Sequence, residues 1–267
     1  MCACFGFSRS GYYKALASTA EKMLDEDLVI KLVNEVRRYQ PRIGGKKLYK
    51  LLSDDLRQLQ RSIGRDKFFD ILRNNGLLVK RKKKYVTTTH SWHRFHKYNN
   101  KMKGKLLTGP NQAYVSDITY LRTSEGFVYL FLQCDAWSRK ITGWDLSSSL
   151  SIDGAVRALK MTIAQCPDCS GVIHHSDRGI QYCCNEYVDI LIRNEMEISM
   201  TEENHCYENA MAERLNGILK QDFLLDEEFP DKATALKAVR QAIKTYNQLR
   251  PHWSLGLCTP DQIHRAA

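Results

Sequence analysis

Long apolar runs are missing from this 267-residue chain: the longest, residues 127–132 (FVYLFL), spans six residues, against about 20 for a membrane-spanning helix. A secretory leader is missing too, because MCACFGFSRSGYY has no charged start followed by a long apolar segment. Both absences argue against membrane insertion or export and predict a cytoplasmic protein. No disulfide framework is visible either: nine cysteines, an odd number scattered along the chain, suit a reducing compartment. Cys166 and Cys169 have the spacing of a zinc half-site, but no second pair of equivalent spacing follows. CPDC therefore reads as a turn set by Pro167, Asp168 and Gly171.

One charge sign is missing from a long stretch. Residues 76–116 contain ten Lys or Arg and no Asp or Glu. The chain has 40 basic and 30 acidic residues, a net charge of +10, so this stretch holds the whole excess. Arg81, Lys82, Lys83 and Lys84 lie near its start, and His90, Trp92, His93, Phe95, His96 and Tyr98 interleave rings with the later cations. A solvated positive loop is the plain reading; the mixture of rings and cations also suits a phosphate backbone with stacking or groove contacts.

Hydrophobic periodicity divides the chain into parts. Residues 21–39 place Leu24, Leu28, Leu32 and Val36 at helical spacing before Pro41, and KKLYKLLSDDL and RDKFFDILRNNG give two more short helices, the last stopping at Gly76. From Asn111 the period changes to two: AYVSDITYLR, FVYLFLQC and KITGWDLS read as three antiparallel strands. A helix from Ser151, a strand GVIHHSD, helix 180–194, strand 197–200 and helix 208–222 complete the order β-β-β-α-β-α-β-α. A last helix, 231–248, ends at Arg250-Pro251. The fold class is α/β, its order of elements matching a ribonuclease-H-like mixed sheet with flanking helices, behind a small helical domain whose periodicity suits a plain scaffold as well as a helix-turn-helix. The expected divisions are 1–79 helical, 80–110 basic linker and 111–267 an α/β core with its C-terminal helix and tail.

Two carboxylates punctuate the core. Asp177 follows the apolar pair Val172 and Ile173 at a strand end, and Glu213 lies in a helix 35 intervening residues later. In that helix Asn209, Glu213, Asn216 and Lys220 fall at i, i+4, i+7 and i+11, one polar stripe opposite Leu215, Ile218 and Leu219. Asp117 in the first strand completes a set of three. Each alone is an ordinary surface acid; together they form a hard oxygen donor set suited to Mg²⁺ or Mn²⁺, two ions being expected. Asp135 and Asp153 compete for the role, but Asp135 suits a turn and Asp153 suits a helix N-terminus. One of His174 and His175 is expected to pack inside the strand and the other to lie near the metals.

HSDRGIQY, SMTEENHCYENAMAERLNGILK and YNQLRPHWSLG with the following Thr259-Pro260 resemble the insertion-sequence transposases that share the retroviral-integrase core, nearest the OrfB products of insertion-sequence family three. The resemblance runs from FSRSGYY at residues 7–13 to Pro260. Glu208 departs from it, standing where the family pattern has Asp. The resemblance implies a DNA transposase that cuts a strand at the element's end and joins the freed 3′-hydroxyl to another phosphodiester. It implies Asp117, Asp177 and Glu213 as the catalytic and metal-binding triad, with Lys220 on a DNA phosphate. Gln181, Tyr182, Asn209 and Arg250 are further candidate DNA contacts, although helix initiation and packing explain them almost as well. The implied partners are element-end and target DNA, further copies of the chain on DNA, and an OrfA-like partner or fusion segment; a nucleoid-associated location follows. A nuclease on the same core and a non-enzymatic DNA-binding regulator are the alternatives. Asp117, mid-sheet, is expected to bridge the two ions, its carboxyl oxygens within about 4–7 Å of those of Asp177, while Glu213 can stand further off because its helix can shift before DNA or metal binds.

Overall fold

The computed structural model describes residues 8–59, 63–79, 95–202 and 209–266. It divides into two compact units, Met1–Arg81 and Lys82–Ala267. Among the described residues no helix is long and apolar enough to cross a membrane.

The first unit holds three helices, α1 (Arg9–Arg37), α2 (Gly45–Gln58) and α3 (Arg65–Asn74). Ser8 starts α1 by accepting from Gly11 N–H at 2.9 Å, and Gly76 follows α3 at a φ of 65° that disfavours any side chain. Val29, Val33, Leu48, Leu52, Phe68 and Leu72 form the core. The expected buried stripe of α1 needs correction: Leu24 is exposed, and Val29 and Val33 take the central positions. The Lys67–Asp25 ion pair at 2.7 Å fixes the rotation of the helix there. α1 ends at Arg37, four residues before Pro41, so proline is not its terminator.

The second unit is a six-stranded sheet in the order β3-β2-β1-β4-β5, with β6 pairing β1 off that path. The strands are β1 (Ala113–Thr123), β2 (Gly126–Asp135), β3 (Ile141–Ser147), β4 (Ile173–Ser176), β5 (Glu197–Met200) and β6 (Glu228–Phe229). β1 to β3 pair antiparallel, while β4 and β5 run parallel to β1. This is the ribonuclease-H-like arrangement that the order of elements implied. One face is covered by α4 (Ile152–Ile163), α5 (Ile180–Cys183) and α6 (Asn185–Arg193), the other by α7 (Ala210–Asp222) and α8 (Lys232–Gln248), and α9 (Pro260–Arg265) closes the chain. Residues 180–194 are two helices rather than one, because Cys184 is extended at φ −73°, ψ 150°. α4 packs on β3 where Gly143 leaves no room for a Cβ against the Ala158 carbonyl. Asp135 takes the turn role: it accepts from Ser138 N–H at 2.6 Å and from Asn111 N–H at 2.7 Å.

Candidate active site

β1 and β4 lie side by side, with Ala113, Tyr114 and Val115 opposite Ile173, His174 and His175. The paired register ends at Val115 and His175; two residues further along each chain stand Asp117 and, just beyond the end of β4 at Ser176, Asp177, whose charge acts on the Asp117 carboxyl. Parallel neighbours are about 4.8 Å apart and residues in register point to one face, so the two carboxylates are lateral neighbours. That face carries Val115 and Ile173, which pack with Ala212, Leu215 and Leu219 of α7. Asp177 lies just past the carboxyl end of β4 and Asp117 midway along β1, where the longer strand runs on beyond its parallel neighbour.

Asp117 is half-buried. Its Oδ1 accepts from Ile118 N–H at 2.9 Å and its Oδ2 from Asn216 Nδ2 at 2.7 Å. Burial, and next the charge of Asp177, push its carboxyl up to about 7; Glu213 adds a smaller push, and the two hydrogen bonds pull the other way. Asp177 Oδ1 accepts from Gly179 N–H at 2.9 Å, and a Cβ at Gly179 would stand 2.9 Å from the same oxygen. Glycine there lets the backbone approach the carboxylate.

α7 lays its polar stripe along β1 in step. Asn209 Nδ2 donates to the Ser116 carbonyl at 3.2 Å, Asn216 reaches Asp117, and Lys220 Nζ lies 4.5 Å from the centre of the Tyr120 ring. Eleven helical residues rise about 16 Å and four strand residues about 13 Å, which is why the two ladders match. Glu213, exposed in the first turn of α7, has its carboxyl raised by desolvation. Lys220 is half-buried; desolvation lowers its ammonium's pKa and the charge of Asp117 opposes that. Among the described residues no three His, Cys, Asp or Glu side chains converge closely enough to hold a metal ion. Asp117 and Asp177 are therefore paired by the sheet, while the third carboxylate stands on a separate element.

The donors suit a divalent cation. They are hard oxygens, the Asp117 carboxyl is destabilised in its charged form, and Asn216 Oδ1 is buried with no hydrogen-bond partner. A cation beside Asp117 offsets the first and offers the second a ligand.

On the opposite face, directly behind Asp117, four polar side chains close on one another. Ser116 Oγ donates to Gln133 Oε1 at 2.6 Å and meets His174 Nε2 at 2.7 Å, while Tyr187 Oη meets His174 Nε2 at 2.9 Å and accepts from Gln133 Nε2 at 2.8 Å. All four are buried. Burial and then His175 hold the His174 imidazole down at about 3, so it is neutral. The cluster ties β1, β2, β4 and α6 together at the level of the two carboxylates. His175 is also buried, with Nδ1 at 2.9 Å from Ser199 Oγ.

Several expected DNA contacts are corrected by depth. Tyr182 is buried edge-on against Tyr187, and Gln181 donates to the Leu150 carbonyl at 2.9 Å from a buried position. Asn209 is buried against β1. Arg250 is 4% exposed and holds Asp222 through Nε at 3.0 Å and Nη2 at 2.8 Å. All four are buried, 2% to 8% exposed, and hold the fold through these contacts. The rest of YNQLRPH is structural as well: Tyr246 Oη donates to the Arg139 carbonyl at 2.9 Å, and Asn247 brackets the backbone of Ile141 with two bonds of 2.9 Å. Lys220, half-buried rather than buried, stands where the charge of Asp117 acts on it. Arg81, Lys82, Lys83, Lys84 and Glu208 lie outside the described residues. Ser116, Gln133, Tyr187 and the bond from Asn216 were not singled out from sequence; for Asn216 the signal was present, since it sits on the polar stripe.

Residues 108–206 and 194–260 each match the integrase core domain family. The chain is 31% identical over 264 residues to a 31 kDa protein of insertion element IS600 from Shigella sonnei, covering 97% of this chain and 96% of that one. It is 34% identical over 194 residues to the transposase InsF of insertion sequence IS3A from Escherichia coli, covering 72% of this chain and 67% of that one. Among solved structures, the HTLV-2 integrase catalytic core domain in complex with magnesium aligns with a TM-score of 0.46 at 22% identity, over 58% of this chain and 97% of that one.

Proposed function

We propose, for a chain that belongs to the integrase-core transposases of insertion sequences, that Asp117, Asp177 and Glu213 are the residues that carry its chemistry. As a member of that family the chain is a DNA transposase, a polynucleotidyl transferase that works on DNA. The lateral pairing of Asp117 with Asp177, facing a helix that bears Glu213 and Lys220, is the observation that supports the assignment. Asp117 and Asp177 would hold Mg²⁺ or Mn²⁺ between them, with Glu213 brought in to complete sites for two ions. Bound there, the ions supply the activation of an attacking oxygen and the stabilisation of a leaving oxygen on one phosphate.

The chain's own residues do the rest. Asp117, mid-sheet, is fixed by the Ile118 N–H on one oxygen and the Asn216 amide on the other. Lys220 anchors a DNA phosphate beside the carboxylates, and its contact with Tyr120 limits the rotamers from which it does so. Neither step needs a covalent protein nucleophile. Arg81, Lys82, Lys83 and Lys84 supply sequence-independent affinity through phosphate contacts, in a basic linker (80–110) between a helix-turn-helix-like accessory region (1–79) and the catalytic core (111–267). An OrfA-like partner or fusion segment, assembly of several copies on DNA, and a cytoplasmic, nucleoid-associated location complete the proposal.

A labelled pre-cleaved end, a target duplex and Mg²⁺ test it. Joined product is expected. Hydrolysis without joining identifies a nuclease on the same core, and binding alone a DNA-binding regulator.

A further inference from the structure

β1 outlasts its neighbour. Its pairing with β4 ends at Val115 and its pairing with β6 begins at Arg122, so between them the edge of β1 faces α7 and the open side of the site. Asp117 stands on one face of this segment. On the other face the strand carries Tyr120 and Arg122, opposite Tyr129 and Phe127 of β2.

Phe127 is 55% exposed, although a phenylalanine in a strand ordinarily packs. It meets the Tyr120 ring edge-on at 5.1 Å between centres. Lys220 Nζ lies 4.5 Å from that same Tyr120 ring, and Arg122, exposed, anchors one Nη2 N–H on the Asp226 carbonyl at 3.2 Å. Two rings and two cations thus form one continuous surface. Lys220 is its junction with the carboxylates, since the charge of Asp117 acts on it. Asp226, whose charge also acts on Lys220, and Glu228 of β6, exposed and in register with Arg122, are acidic groups at the margin.

Rings beside cations are the chemistry that binds unstacked nucleic acid strands: phosphates meet the ammonium and guanidinium groups, and a base with no pairing partner lies on a ring. A paired duplex offers such a surface its backbone but not its bases. We propose that Tyr120, Phe127 and Arg122 form a platform for an unpaired base of the DNA end held at the site, reached around the β1 edge past Lys220. This rests on the assignment of Asp117, Asp177 and Glu213 as the reacting centre. The platform makes the enzyme favour an end whose tip is frayed over one fully paired, a preference that the carboxylates do not themselves supply.

Binding of the full chain to two duplexes tests it, both with the terminal sequence that flanks the coding region, one fully paired and one with two unpaired bases at the tip, the outer being 2-aminopurine. The wild-type chain is expected to bind the frayed duplex more tightly and to quench the 2-aminopurine. Phe127→Ala is expected to weaken frayed-end binding about tenfold, remove the quenching and leave affinity for the paired duplex unchanged; Phe127→Trp restores both. Equal loss on both duplexes, or unchanged frayed-end binding and quenching, overturns the platform. Because the readout is binding, it is separable from the joining assay: loss of joining in the wild-type chain with the frayed-end preference intact sinks the catalytic assignment and spares the surface.

Discussion

Ser116 and Asp117 are consecutive residues that face opposite ways, and the two sides of β1 treat polar groups oppositely. Behind the strand, Ser116, Gln133, His174 and Tyr187 are buried and bonded to one another at 2.6 to 2.9 Å. In front, Asp117 is held beside a second carboxylate, its own pushed up to about 7, with a neighbouring amide oxygen left without a partner. A fold able to satisfy four buried polar groups on one face has set two acids side by side on the other, hydrogen-bonded but with the charge of Asp177 raising the carboxyl of Asp117. Satisfaction marks what holds the sheet together; its lack marks what awaits a ligand.

The largest effect should come from the side that is not satisfied. Glu213→Gln removes a charge with hardly any change of shape, on an exposed helical turn where folding is insensitive to it. Cleavage and joining are expected to fall together by about a thousandfold or more, equivalent to about 4 kcal/mol of transition-state stabilisation, with DNA affinity and thermal stability nearly unchanged. Strand transfer near the wild-type rate would break the contrast, because the front face would then be merely a tolerated imperfection.

Gln133→Leu reverses the pattern. It takes away the amide oxygen that accepts from Ser116 and the amide nitrogen that donates to the Tyr187 hydroxyl, leaving both short of a partner in a dry interior, and should cost about 2–4 kcal/mol of stability. Denaturant unfolding reads this directly. If the carboxylates depend on the cluster for their spacing, the residual folded protein should also need more Mg²⁺ for half-maximal joining; an unchanged metal requirement would confine the cluster to stability.

Much of this contrast was legible in the sequence, but unevenly. Period-two runs placed β1 to β3, and the spacing of Asn209, Glu213, Asn216 and Lys220 gave the stripe that lies on β1, because strand alternation and helical repeat are local properties. Depth is not local. Tyr182 and Arg250 have polar tips suited to DNA, and only the packing of Tyr187 and the position of Asp222 bury them. In α1 both the 24/28/32/36 and the 29/33 positions are apolar, so the neighbouring helices decide which face is covered. β6, two residues long, has no periodicity to read. The lateral pairing of Asp117 with Asp177 needed the β1–β4 register, which joins residues 60 apart in the chain.

Asp117→Asn gives the smallest effect and the sharpest test of the difference between the faces. In the folded chain the carboxyl is raised from 3.8 to about 7, so across that window the native state keeps a proton that the unfolded chain has released. Bound protons then favour the native state, and stability contributed below about pH 4 is lost as pH rises through about 7. An amide has no such charge to desolvate. It also suits the site sterically, since turning the Asn216 amide presents its unpartnered Oδ1 to the new N–H. In metal-free buffer the variant is expected to be more stable than the wild type by about 1–3 kcal/mol at pH 8, with the advantage vanishing toward pH 4. Mg²⁺ should then raise the Tm of the wild type and close the gap, while leaving the variant nearly unmoved, because only the wild type gains a ligand in its native state. A variant less stable than the wild type at every pH would mean that Asp117 is satisfied where it stands and that the two faces of β1 do not differ in kind.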